Sequence, residues 1–274
     1  MAAEEAPDVA ASPQTHLLSY AYGVIPAAQA SDDALTEALS ALRGVAGAPV
    51  TLVRSGPLAA AVSGVPEAEF SEGALKVRLE DLDWLESVAR PHHAVIETLS
   101  AHATTLPLRL ATIYLNDAHV RAMLDARAED FTGMLDRLAD HVELGVKVYA
   151  LLSPAEEEAP RTSVGETSGR AYLQQRRRQR HTRDATWRAA RDAVRRIEAE
   201  AGQLAVDSAH YRPQQGRLAQ GVPGENVANA AFLVPRPLVD EFRTRIERSA
   251  EDLPGVRVEV TGPWAPYSFA GRSD

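Results

Sequence analysis

The sequence predicts an α+β protein built from two ferredoxin-like domains in tandem, joined through a helical segment, and three observations carry that expectation. The clearest strand, residues 142–152, sets Val142, Leu144, Val146, Val148 and Ala150 on one face and Glu143, Gly145, Lys147 and Tyr149 on the other, the period of a sheet with one buried side. From it onward the patterns run strand, helix, strand, strand, helix, strand, which is the split βαβ order. Before it the same order appears, with one extra helix leading into Val142. A chain of 274 residues is long for a single core and suits two domains of roughly 130 residues each. The expected division is a disordered tail over residues 1–15, a first domain over 16–140, and a modified second domain over 141–274 that ends in an aromatic tail.

Taken in order, residues 1–15 are small, acidic and proline-containing, as disordered termini are. Residues 17–25 read as a strand with Leu18, Tyr20 and Tyr22 on one face, closed by Gly23 and Pro26. Ser31 or Asp32 can cap a helix whose Leu35, Ala38, Leu39 and Leu42 follow helical spacing up to Gly44. A hairpin follows over 49–54 and 58–62, turning at Ser55, Gly56 and Pro57. Its run of three alanines, 59–61, implies close packing from above.

Asp81 or Asp83 starts a helix that reaches Arg90, and Pro91 suits the first position of a continuing helix. Leu85, Val88, His92, Val95, Leu99 and Ala103 fall on one stripe that must face the sheet. Residues 106–115 are apolar on both faces except at Arg109 and Thr112, as in a central strand. A helical region over 118–139, capped by Asn116 or Asp117, delivers the chain to Val142. Beyond the central strand, 153–168 reads as an exposed connection with three consecutive glutamates. A long helix over 169–201 is basic first and amphipathic afterwards. Strands over 204–211 and 227–234 flank a long polar loop, a helix over 235–250 turns Leu238, Phe242 and Ile246 inward, and the last strand, 256–261, runs into GPWAPYSF.

Composition narrows the function. A formal charge of −9 argues against nucleic acid as the main partner, because phosphate binding needs local cation. The absence of cysteine excludes disulfides, thiolate metal sites and thiol catalysis. The start of the chain has neither a basic n-region nor an apolar h-region, and no apolar run approaches the ~20 residues of a spanning helix, so a cytosolic protein without membrane contact is expected.

No catalytic or cofactor constellation stands out. His92, His93 and His102 lack the i, i+4 pairing that sets two imidazoles on one helical face, so neither a metal nor a cofactor is expected, and His92 reads as a satisfied core histidine. Arg109 inside an apolar strand needs a carboxylate, either from a ligand or, as a structural ion pair, from Glu97 or Glu143, and the ion pair is the expected solution. Arg176, Arg177, Arg178 and Arg180 form a basic helix face suited to protein docking, with no RNA-type aromatic motif beside them. Trp264, Tyr267 and Phe269 either anchor a partner or pin the terminal segment to its own domain.

Several stretches, in order, carry a resemblance: YAYGVI, LAAAVSGVP, the passage from His92 through LPLRLAT, VKVY, GRAYLQQRRR, NAAFLV and TGPWAPYSF. Together they resemble the gas vesicle accessory proteins of the GvpF/GvpL family, from about Tyr20 to Phe269. The chain departs from that pattern at Leu110 and Ala111, where phenylalanine and glycine would be expected, and after Glu143, where the family often has tryptophan. The resemblance implies a two-domain α+β protein without catalytic activity, a minor component of the gas vesicle within the cytoplasm. It implies association with the small hydrophobic shell protein and with other accessory proteins during nucleation, and protection of shell subunits from aggregation. A different reading is a small-ligand-binding or oxygenase-type enzyme on paired ferredoxin-like folds, with Arg109 and His92 in one pocket.

Overall fold

The structure, a computed structural model, describes residues 16–151, 169–213 and 224–271; the expected tail over 1–15, the whole connection over 153–168 and most of the loop before β8 lie outside them. The chain divides into two compact units after Arg137. The first contains β1 (Leu17–Pro26), α1 (Asp33–Ala41), β2 (Thr51–Ser55), β3 (Leu58–Pro66), α2 (Glu67–Phe70), α3 (Glu72–Arg78), α4 (Leu82–His102), β4 (Leu106–Pro107), β5 (Ile113–Tyr114) and α5 (Asp117–Ala126). Helix α6 (Ala128–Leu138) leads out of it. The second contains β6 (His141–Ala150), α7 (Gly169–Leu204), β7 (Asp207–Tyr211), β8 (Glu225–Pro235), α8 (Val239–Arg248) and β9 (Val256–Trp264).

The protein is therefore α+β with two sheets, and the sheets share one strand order. In the first it is β2-β3-β1-β4, with β5 also on β1; in the second it is β7-β8-β6-β9; every pairing is antiparallel. Local chemistry sets the element ends where capping was expected. The Asp32 carboxylate accepts from the Ala34 N–H, Asp81 accepts from Asp83 and Trp84, and Asn116 accepts from Ala118 and His119. Gly56, at φ +54°, makes the hairpin turn between β2 and β3.

The two sheets are covered differently. In the first unit α4 lies over the tyrosine face of β1, while α5 lies against β1, β2 and β3 on the other face, where the Ser19 hydroxyl donates to Asp117. Strand β1 is consequently buried at every position from Leu18 to Ile25, and Ala59, Ala60 and Ala61 are fully buried beside it. In the second unit α7 and α8 cover one face only. Their Ala190, Ala193, Ile197, Phe242 and Ile246 pack on Leu144, Val146, Val148 and Phe232. Strand β6 keeps the alternation read from its sequence through Val148, then departs from it at Tyr149, which is buried beneath the Arg257 guanidinium.

Four expectations need correction. Residues 106–115 are not a central strand: the fourth strand of the first sheet lies at its edge and is broken into β4 and β5 by an excursion over 108–112, with Ala111 at φ +59°. Its apolarity on both faces does not report two-sided burial: only Leu106 and Pro107 are buried, and Arg109 and Leu115 are exposed. Helix α4 is one helix with Pro91 inside it, because Val88, His92, Val95 and Leu99 bury a continuous stripe on both sides of the proline. Such packing outweighs an interior proline's cost of roughly 3 kcal/mol. The single helical region over 118–139 is two helices, parted at Arg127. Helices α2 and α3, unassigned from sequence, place Phe70 edge-on to Tyr20 at 6.2 Å and 5.7 Å from Trp84.

Candidate functional site

Polar side chains gather in two places, one per unit. In the first, the Tyr20 hydroxyl lies 3.0 Å from His92 Nδ1 and accepts the Ala111 N–H at 3.0 Å. The hydroxyl supplies the hydrogen of this bond when the ring proton sits on Nε2, and the ring supplies it when the proton sits on Nδ1. His92 also has a backbone hydrogen bond with Leu108, so the pair holds both ends of the 108–112 excursion. Burial first, and the nearby His93 second, push the His92 pKa down to about 4, against the pull of the Leu108 bond. The imidazole is thus neutral and structural, with Tyr22 packed at 5.6 Å.

Tyr22 makes a second closed arrangement. Its hydroxyl meets Ser63 Oγ at 2.6 Å and accepts the Val45 N–H at 2.7 Å. Burial raises its pKa, with both bonds opposing. A Cβ on Gly44 would lie 2.3 Å from this hydroxyl, so only glycine fits there.

In the second unit the half-buried carboxylate is Glu143, on the outer face of β6. It accepts the Ser268 N–H at 2.8 Å and the Ser268 hydroxyl at 2.6 Å, clasping the chain end onto the sheet. Burial raises its pKa, and the two Ser268 bonds only partly offset that. Gly262, at φ +103°, lets the chain turn there, since a Cβ would come 2.7 Å from the Glu143 carbonyl oxygen. From α8 the Arg243 guanidinium donates to the carbonyls of Val260 and Gly262 on β9.

The clasp divides the aromatic tail. Phe269 is fully buried, so it pins the segment to its own unit and is not an exposed anchor, whereas Trp264 and Tyr267 remain 40% and 37% exposed. Arg176, Arg177, Arg178 and Arg180 lie exposed on the first half of α7. Arg109 is exposed on the excursion, so the burial that called for a carboxylate partner is not there. The two candidate partners are engaged elsewhere, Glu97 with His93 at 3.0 Å and Glu143 with Ser268.

Each unit also carries an open cleft. One of about 590 Å³ lies between the end of α7 and the edge strand β7, among Ala201, Gly202, Val206, Ser208, His210 and Phe232. The other, about 470 Å³, lies at the start of β1 beside Asp117 and Gly64. Among the described residues no group of three or more His, Asp or Glu side chains could hold a metal ion, and no helix is long and apolar enough to cross a membrane. Sequence reasoning missed the Tyr20–His92 pair, the Glu143–Ser268 clasp and the cleft at β7. Each joins residues distant along the chain, and Tyr20 and Ser268 are indistinguishable in sequence from ordinary strand and turn residues.

Comparison with known proteins places the whole arrangement. Residues 18–271 match the family of gas vesicle synthesis protein GvpL/GvpF. Gas vesicle protein L of Streptomyces sp. (strain CB03234) is 45% identical over 262 residues, 95% of each chain. Gas vesicle protein F of the same strain is 28% identical, across 92% of this chain and 98% of that one. The crystal structure of GvpF from Anabaena sp. PCC7120 superposes with a TM-score of 0.64 at 19% identity, over 94% of this chain and 98% of that one. That of GvpF from Microcystis aeruginosa does so with 0.62 at 19%, over 92% and 98%. The shared fold and the match across nearly the whole chain lead to one conclusion: this protein belongs to the GvpL/GvpF family of gas vesicle synthesis proteins.

Proposed function

We propose that the protein is a non-enzymatic assembly factor that works at the gas vesicle in the cytoplasm. It binds the small hydrophobic shell protein and other accessory proteins during nucleation and keeps shell subunits from aggregating. The observation that carries this reading is the clasped tail: Glu143 and Ser268 fasten the segment, Phe269 is buried beneath it, and Trp264 and Tyr267 are left facing outward. Exposed aromatic side chains on a fixed backbone are efficient anchors, because little conformational entropy is lost when a partner covers them. The larger share of identities with the L relative supports an L-type role.

On the same reading the two units are ferredoxin-like domains over residues 16–140 and 141–274. The strand order, with the hairpin's second strand inserted beside the first strand of each unit, supports it. Arg176, Arg177, Arg178 and Arg180 supply a further protein-facing surface. An enzyme of the oxygenase type would need His92 and Arg109 in one pocket. His92 is buried against Tyr20, Arg109 is exposed, and neither lines either cleft described above.

The test is co-expression with the shell protein. The soluble fraction of shell protein should rise with this chain present, and fall back when Trp264→Ala and Tyr267→Ser are combined. These two changes leave Ser268 and Phe269 to hold the fold. Shell protein equally soluble with and without the chain would overturn the proposal.

A further inference from the structure

Sheet edges attract extended segments unless something blunts them. The first sheet's edge on the β1 side is interrupted by the 108–112 excursion, and β9 in the second sheet has the Arg243 guanidinium on its Val260 and Gly262 carbonyls. Strand β7 differs. Among the described residues it is hydrogen-bonded to β8 on one side and is the outermost strand on the other, and its flanking Val206 and Tyr211 are 58% and 48% exposed. The cleft of about 590 Å³ opens along this edge, between β7 and the last turns of α7.

The lining fixes what would fit. Phe232 forms an apolar floor, Ala201 and Gly202 leave room because their side chains are small, and Ser208 and His210 alternate along β7 on the face the cleft occupies. Glu198 and Asp207 add negative charge at its walls. A strand added to β7 would send every second side chain into this space, the spacing imposed by the pleat. The partner row Asp207–Leu233–Glu143–Trp264 also crosses all four strands, so the cleft and the clasped tail lie at the same end of the sheet.

We infer that β7 and its cleft are a strand-addition site for an extended segment of the shell protein, with small apolar side chains at alternate positions and a lysine or arginine meeting Glu198. This deepens the function proposed above and rests on it. Backbone pairing holds the segment, the cleft reads its alternate side chains, and the carboxylates set its direction.

Gly202 provides the test. A Cβ built there meets nothing within 4 Å, so Gly202→Ala is accommodated by the chain itself, and Gly202→Phe starts its larger side chain from the same open point. Both favour the helix relative to glycine, by up to ~1 kcal/mol for alanine, so neither weakens α7. Shell protein co-expressed with tagged full-length chain should be captured by wild type and by Gly202→Ala. Gly202→Phe, which fills the cleft, should lose at least about tenfold in capture, and Glu198→Lys should lose about as much at low salt and less at high salt. Thermal unfolding of each variant confirms that the fold is kept. Full capture by Gly202→Phe overturns the strand-addition site while leaving the proposed function standing; no capture by wild type overturns both.

Discussion

Strands β1 and β6 occupy the same place in two sheets of the same order, yet β1 is buried at every position from Leu18 to Ile25 while most of β6 alternates. The cause is the cover. The first sheet lies between α4 and α5, whereas the second has α7 and α8 on one face and, on the other, a terminal segment clasped at Glu143. A sheet covered twice has little surface left to offer a partner. The second sheet, whose β8 is also buried at consecutive positions from Ala230 to Val234, keeps an outermost strand β7 and a fastened aromatic tail at its surface. On the function proposed above, the first unit is the scaffold and the second the docking unit.

The largest expected effect tests the burial itself. Ala21 is fully buried on the α5 side of β1, so Ala21→Glu places an unpaired charge between sheet and helix. We expect a loss of about 3–5 kcal/mol, read by denaturant unfolding of the first unit. Lys147→Gln, on the half-buried outer face of β6, should cost less, about 1 kcal/mol. Equal losses at the two positions would erase the contrast.

Acid should separate the units next. His92 has its pKa lowered to about 4 from 6.5, so as the pH falls the unfolded chain takes up this proton first. Stability of the first unit is then fully present above about pH 6.5 and decreases towards about pH 4, by about 3 kcal/mol. Glu143 has the opposite sign: its raised pKa means the folded chain holds the proton better, so its contribution improves as the pH falls through the carboxylate range. Hydrogen exchange across this window should show α4 and β1 losing protection before β6 and β8. Simultaneous loss would show that other groups dominate.

Two smaller effects sharpen the local accounts. Tyr20→Phe removes the acceptor of the Ala111 N–H and the partner of His92 Nδ1, which should cost about 1–3 kcal/mol and speed amide exchange over residues 108–112 more than elsewhere in that unit. Ser268→Ala removes one of the two bonds to Glu143, about 1 kcal/mol. It should change Trp264 fluorescence without moving the unfolding of the first unit.

Much of this fold is legible in the sequence because amphipathic period reports one-sided burial. The alternation over Val142–Val148, the α4 stripe through Val88, Val95 and Leu99, and the capping residues Asp32, Asp81 and Asn116 each announce themselves locally. The sequence misleads where burial is two-sided or mixed. Residues 106–115 look like a central strand because their apolar positions fall on both faces, yet only Leu106 and Pro107 are buried and Arg109 is exposed at the sheet's edge. The docking features were the least visible. Whether Phe269 is anchor or pin depends on where Glu143 lies, 126 positions earlier in the numbering of the chain, and the emptiness beside Gly202 exists only once α7 meets β7.

The most direct measurement of the division of labour is shell-protein capture by four full-length variants side by side. Gly202→Phe and Trp264→Ala alter the second unit, while Arg109→Ala and Leu115→Ser alter exposed positions of the first. The account predicts that the first two lose capture and the last two retain it. Loss with Arg109→Ala or Leu115→Ser, and retention with Gly202→Phe and Trp264→Ala, would contradict it by placing the docking surface on the doubly covered unit.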